Sequence, residues 1–278
     1  MRFLSRQVTC RDRNRIALQS DLLSAWVLGI KNVLALTGDL PALGDHPQAV
    51  GVYDLDSVSL LQTITTLNGG HDLSGNELQG APAFFPGAVV KVDSNTEAST
   101  ELQIIKMQKK IAAGAKYFQT QAVYSVDSFK RFMDRVSKFN VPVMAGVIPL
   151  KNAGMARYMN ANVAGVLVPD DIIQKMADAP KEERAATGIK IAADFIKEIK
   201  PLCQGVHIMA IGWRSGCRRS SSSPASSPDS IEKEIPGAGD NAGDFYFRRD
   251  DPGSPGFPNA SARRWPDFGI ILQSVIMK

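Results

Sequence analysis

A parallel α/β barrel is the fold this sequence predicts, and three observations predict it. Apolar runs of strand length alternate with stretches of helical periodicity along most of the 278 residues, the pattern of a parallel sheet. The run Val33-Leu34-Ala35-Leu36 is apolar at every position, as a strand buried on both faces must be. Thr37-Gly38-Asp39 then ends the strand and Pro41 forbids its continuation, and in such barrels the C-terminal strand ends carry the chemistry. About six strand–helix steps can be counted, whereas a closed barrel needs eight. The expectation is therefore an incomplete (β/α)8 TIM-type barrel over residues 1–213.

The elements follow in order. Residues 7–10 read as a short strand. A helix follows with Asp12 near its start and Ile16, Leu18, Leu22, Ala25 and Trp26 at helical spacing, closed by Gly29. The 33–36 strand comes next, then a loop over 42–53. Asp54 or Asp56 caps a helix built on Val58, Leu61, Ile64 and Leu67, which Gly69-Gly70 stops. Residues 73–82 are a polar insertion. Residues 83–90 form a strand in which Pro86 sits awkwardly. Ser99 or Thr100 caps a helix carrying Ile104, Met107 and Ile111. Residues 117–121 are a strand, and Asp127 caps a helix with Phe129, Phe132, Met133 and Val136 on one face. A strand over 141–148 ends at Pro149. An irregular or short helical stretch leads to a helix over about 169–176. A longer helix, 181–200, buries Ile189, Ala192, Ile196 and Ile199. Residues 205–211 make the last strand.

After Trp213 the pattern breaks. Ser220-Ser221-Ser222-Ser223-Pro224 opens a stretch rich in Gly, Pro, Ser, Asp and Arg that cannot bury enough surface to offset its ordering entropy. Residues 214–278 are expected to be a disordered, low-complexity tail, either a linker or the product of a reading-frame error. The frame error is favoured, because the 205–211 strand loses its covering helix in mid-pattern. Such a barrel is expected to leave sheet edges unpaired and the apolar faces of Leu22, Trp26, Val206 and Ile208 exposed, and hence to aggregate and lack activity.

Composition narrows the function classes. A net charge of +4 leans on arginines late in the chain, giving no nucleic-acid footprint. No membrane-length apolar segment or signal peptide is read. Three scattered cysteines, Cys10, Cys203 and Cys217, show no metal-ligand spacing and suit a reducing, cytoplasmic setting. His46, His71 and His207 read as structural or surface residues, with no metal site. Asp39 is the first candidate working residue; the alternative is a turn Asp bonded to its own backbone.

Several segments, in order, resemble one family. They are Val8-Thr9-Cys10-Arg11-Asp12-Arg13-Asn14 with Gln19-Ser20-Asp21, Ala35-Leu36-Thr37-Gly38-Asp39, Ala112-Ala113-Gly114-Ala115 with Gln119-Thr120-Gln121, and His207-Ile208-Met209-Ala210-Ile211-Gly212-Trp213. Together they resemble the methylenetetrahydrofolate reductases, in the bacterial branch often fused to a homocysteine methyltransferase domain. The resemblance implies a flavoprotein barrel of one-carbon metabolism and methionine biosynthesis. It implies reduction of 5,10-methylenetetrahydrofolate to 5-methyltetrahydrofolate by NADH or NADPH through FAD, or FMN. A homo-oligomer or an electron-donor subunit is a further expectation.

The resemblance also implies roles. Asp39 matches the family Asp beside the flavin ring and the folate. Thr37 and Gly38 flank it on the flavin side, with Thr37 where other branches have Arg. Lys109 and Lys110 match a basic pair facing the FAD diphosphate. Tyr53 matches a residue near the adenosine part, and Gln121 the glutamine that bonds the pterin, since an amide both donates and accepts. Some positions depart from the family: Gln7 replaces a common His, and Pro86 and Lys91 fall in a segment usually rich in Gly and Ala, then Asn. The family's general-acid glutamate lies on the first barrel strand, and no Glu precedes Glu77 here. A non-catalytic flavin- or folate-binding fragment is the alternative this raises.

Overall fold

The computed structural model describes residues 5–92, 96–209 and 211, and the backbone of Gly269–Gln273. Seven strands form one sheet in chain order: β1 Ser5–Thr9, β2 Asn32–Leu36, β3 Phe85–Val90, β4 Tyr117–Ala122, β5 Val143–Val147, β6 Gly205–Met209 and β7 Gly269–Gln273. Every neighbouring pair is parallel. Helices α1 Arg15–Val27, α2 Ser57–Asn68, α3 Glu97–Ala112 and α4 Val126–Val136 each follow a strand. Three helices, α5 Ala153–Asn162, α6 Asp170–Asp178 and α7 Arg184–Ile199, fill the β5–β6 connection. Sequential parallel strands with helices between them make an incomplete α/β barrel of the TIM type.

The seventh strand lies inside the stretch read as tail. Its apolar Ile270-Ile271-Leu272 run suits a buried strand, and it pairs with β6 from Gly205↔Gly269 to Met209↔Gln273. The rest of the 214–278 tail, with the linker and frame-error readings, lies outside the described residues.

Two packing layers follow from strand alternation. Outward-facing Val8, Val33, Ala35, Ala88, Phe118, Val143, Ala145, Val206 and Ile208 join Leu18, Leu22, Leu60, Ile64, Phe129, Ile189 and Ile196 of the helices in the main core. The expectation that Leu22, Val206 and Ile208 lie exposed is therefore wrong. Leu22 lies on the face of α1 that joins the main core, and the helices of that core cover the other two, so all three are fully buried. Trp26 is half-buried, its ring edge-on to Phe84 at 5.7 Å. On the other face, Leu34, Tyr117 and Met144 form a small interior cluster with Leu36, Phe85 and Val89. There Phe85 and Tyr117 stack at 5.6 Å, and the Tyr117 hydroxyl lies 3.2 Å from Ser5 Oγ across the barrel interior.

Helix starts depart from the sequence reading by a residue or more. Asn14 caps α1 by accepting from Ala17 N–H, two residues after Asp12, whose carboxylate is held by Arg11 and Thr9. Asp56 caps α2. Thr96 caps α3, a turn before the residues expected. Ser125 caps α4, which leaves Asp127 in the first turn, where its negative charge is favourable to the positive end of the helix dipole. The short helical stretch after β5 is a full ten-residue helix, α5. Pro86 is tolerated as the second residue of β3, where its missing N–H removes one ladder bond near the strand entrance.

Candidate active site

The C-terminal ends of β1, β2 and β4 gather the polar side chains. After β2 the chain turns sharply at Gly38, whose φ of +91° and close approach both require glycine. A Cβ there would stand 2.8 Å from Arg11 Cβ and 3.3 Å from Thr9 Cβ. The Thr37 hydroxyl accepts from Ser57 N–H at 3.1 Å, tying this turn to the start of α2. The Tyr53 hydroxyl donates to the Asp39 carbonyl at 2.7 Å. Tyr53 itself is held at φ +45°, with its N–H on the Cys10 carbonyl. The 41–56 loop thus folds back over the ends of β1 and β2.

These contacts use the backbone of Asp39 and leave its carboxylate alone. The side chain is exposed and makes no hydrogen bond or ion pair with any described residue. The turn-Asp alternative, in which the carboxylate bonds nearby backbone, is not what the structure has. A fence of ion pairs runs along the turn from β1 into α1: Arg11 to Asp12 at 2.7 Å, Arg13 to Asp21 at 2.6 Å and Arg15 to Asp54 at 2.8 Å. Bonds from the Arg15 side chain and N–H lower the Asp54 carboxyl to about 2, and Asp12 is lowered by Arg11 and Thr9. The Arg11 guanidinium is raised chiefly by its bond to Asp12, with a smaller push from the negative charge of Asp39. The alternating charges of residues 11–15 were the sequence signal for this fence.

Two strands along, β4 carries an irregularity. Gln119 pairs with Met144 but Ala122 pairs with Gly146, so three steps on β4 face two on β5. Gln121 sits in this bulge, half-buried, and its side-chain amide has no partner among the described residues. With β3 between them, the ends of β2 and β4 stand about 10 Å apart.

The two lysines diverge. Lys109 is exposed on α3. Lys110 is largely buried and donates from Nζ to the Val89 carbonyl near the end of β3 at 2.7 Å. Burial, with a smaller push from Lys106, lowers it to about 8. Adjacent helical residues project about 100° apart, so a sequence pair need not act in one direction. Burial pushes the Cys10 and Cys203 thiols up to about 11, away from nucleophile behaviour; Cys217 lies outside the described residues. Among the described residues no helix is long and apolar enough to cross a membrane.

Sequence reasoning did not find what holds these residues. The Tyr53–Asp39 bond joins two positions that were singled out separately. The bridge from His207 to β4, described below, had no sequence signal beyond a histidine in an apolar strand.

Comparison with known proteins supplies the family. The methylenetetrahydrofolate reductase family model matches residues 5–216. A Pectobacterium carotovorum protein named 5,10-methylenetetrahydrofolate reductase is 30% identical over 194 residues, 68% of this chain and 58% of that one. The Escherichia coli protein of the same name is 28% identical over 68% of this chain and 59% of its own. Methylenetetrahydrofolate reductase 2 of Schizosaccharomyces pombe is 27% identical over 71% of this chain and 31% of its own. The chain thus spans about six-tenths of the length of the bacterial relatives it matches. A solved structure of an uncharacterized Clostridium thermocellum protein, which binds two copies of 5-methyl-5,6,7,8-tetrahydrofolic acid, aligns at a TM-score of 0.36 and 15% identity, over 75% of this chain and 88% of that one; at that score no residue can be placed. The family match runs from β1 past β6 and takes in every strand end that bears a candidate residue, so this chain belongs to the methylenetetrahydrofolate reductase family.

Proposed function

We propose that this barrel takes part in the reduction of 5,10-methylenetetrahydrofolate to 5-methyltetrahydrofolate, with electrons from NADH or NADPH passing through FAD. The observation that carries this reading is the pair of unpartnered polar side chains at the strand ends, the Asp39 carboxylate and the Gln121 amide. Both stand within residues 5–216, the stretch that the family model matches.

The residues present fit a flavin in chemical type. Gly38 brings backbone close, Asp39 offers a fixed charge and Gln121 offers both a donor and an acceptor. Tyr53 would flank the adenosine part. Lys109 is exposed for the diphosphate, and Lys110 keeps two further ammonium protons once one is on Val89. When bound, the flavin supplies the hydride chemistry, and the protein positions and tunes it. Asp39 opposes negative charge on the reduced ring and favours a cationic folate. Gln121 orients the pterin through its amide. Tyr53 and Thr37 hold the Asp39 turn rigid, so this electrostatic field needs no reorganisation during reaction.

The test is direct. The purified chain, reconstituted with FAD, is expected to oxidise 5-methyltetrahydrofolate with an artificial electron acceptor. Flavin and folate binding with no turnover would instead identify the non-catalytic fragment. Failure to bind either would overturn the reading.

Lys110 adds a pH test. It is neutral above about 8, so the cation that would face the diphosphate is lost as pH rises. FAD affinity is expected to fall between pH 7 and pH 9, and Lys110→Ala to flatten that dependence. A lysine at its ordinary value of 10.5 would leave affinity level over the same range. Titration of flavin fluorescence at each pH distinguishes the two.

A further inference from the structure

His207 is the one buried histidine among the described residues, with only 3% of its surface exposed. It lies at the middle of β6. Its neighbours Val206 and Ile208 face the helices, so its ring faces the barrel interior. From there Nε2 reaches the Thr120 carbonyl on β4 at 2.8 Å, two strands away. A carbonyl can only accept, so Nε2 carries a proton and donates.

The strand between them permits this crossing because it has no side chain there. Gly146 of β5 pairs with His207. A Cβ on Gly146 would stand 2.5 Å from Thr120 O, 2.8 Å from Gln121 O and 2.9 Å from His207 Nε2. Two successive carbonyls of β4 crowd the same glycine, which regular alternation forbids and a bulge produces.

Each of the two carbonyls has its own side-chain donor. His207 Nε2–H serves Thr120 O. The Thr120 hydroxyl donates to Gln121 O at 2.7 Å and accepts from Gly146 N–H at 2.9 Å. An extra residue in a strand normally leaves such groups unpaired. Here the cost of the bulge is met by Thr120 and His207, with Gly146 supplying the room. The residue that the bulge displaces is Gln121.

We propose that His207 is a positioning residue for Gln121. By bonding the Thr120 carbonyl across Gly146, it holds the β4 bulge that sets the Gln121 amide at the barrel mouth. This rests on the reading of Gln121 as the folate-binding amide.

The test uses the full 278-residue chain with FAD bound. Calorimetry measures 5-methyltetrahydrofolate affinity, and hydrogen exchange measures protection of the Gly146 amide. His207→Leu is expected to weaken folate binding about tenfold and to speed Gly146 exchange by a similar factor, as loss of one buried donor implies. His207→Gln, which keeps a donor, is expected to restore both to within about threefold. Flavin affinity stays level throughout. Gln121→Ala weakens folate binding alone, and adding His207→Leu to it causes no further loss, because the two act through one contact.

Unchanged folate affinity and Gly146 exchange in His207→Leu would overturn the proposal, as would additive losses in the double variant. If Gln121→Ala leaves folate affinity intact while His207→Leu still speeds Gly146 exchange, the bulge role of His207 stands and the Gln121 reading falls. Should His207→Leu not fold, Thr120→Val removes the other donor of the same bulge and is expected to weaken folate binding equally. A folded Thr120→Val with unaltered folate affinity would count against the proposal.

Discussion

Asp39→Asn is expected to slow folate reduction about 10²–10³-fold, the usual loss when one preorganised electrostatic group is removed from a reacting centre. The substitution keeps size and shape, and the structure gives no reason for it to disturb the fold. The carboxylate bonds no described residue, while the Asp39 backbone is held by Tyr53 and its turn by Gly38 against Thr9 and Arg11. If Asp39 lies beside the flavin ring as proposed, its negative charge would oppose reduction of the ring, so its loss is expected to raise the flavin midpoint potential. Reduction of flavin by the nucleotide should then suffer far less than transfer to the folate. Stopped-flow measurement of the two half-reactions, with a potentiometric titration, separates these effects. Equal losses in both half-reactions, at an unchanged potential, would make Asp39 a structural residue.

What was legible in the sequence was what repeats. The period of apolar residues placed six strands and most helices, and it named the buried faces of α4 and α7 correctly: Phe129, Phe132, Met133 and Val136, then Ile189, Ala192, Ile196 and Ile199. Helix starts were less legible, because Thr96, Ser99 and Thr100 are chemically alike and only tertiary packing decides which one caps α3. The seventh strand was missed because a long aperiodic stretch separates it from β6, and pairing across such a distance leaves no local signal. At the site, the motif around Asp39 was legible because a strand end and a glycine announce it. The direction of Lys110 was not, since sheltering by β3 depends on how α3 lies on the sheet. The His207 bridge was least legible of all. It needs a histidine, a glycine and a bulge from three strands far apart in sequence, and none of the three is unusual alone.

The barrel also depends on how closely α7 approaches the segment that follows β5, and Gly188 is a point of close approach. The residue lies buried within α7. A Cβ there would stand 1.8 Å from the Leu150 carbonyl oxygen and 2.9 Å from its carbon. Both are backbone atoms, so no side-chain rotation can relieve the clash. Two effects of Gly188→Ala oppose each other. Alanine favours helix over glycine by about 1 kcal/mol. Overpacking a filled core costs about 1–3 kcal/mol and sometimes more, and a contact this short with fixed backbone belongs at the upper end. The clash should win by about 2 kcal/mol, which for a domain of this size lowers Tm by about 4–8 °C. Leu150 is itself buried and lies three residues beyond the end of β5. Displacing it pulls on the strand that carries Gly146, so folate affinity should fall along with Tm. Thermal unfolding and folate calorimetry on the same preparation test both. A Tm that rises by the helix-propensity gain alone would show that α7 does not rest on the Leu150 backbone.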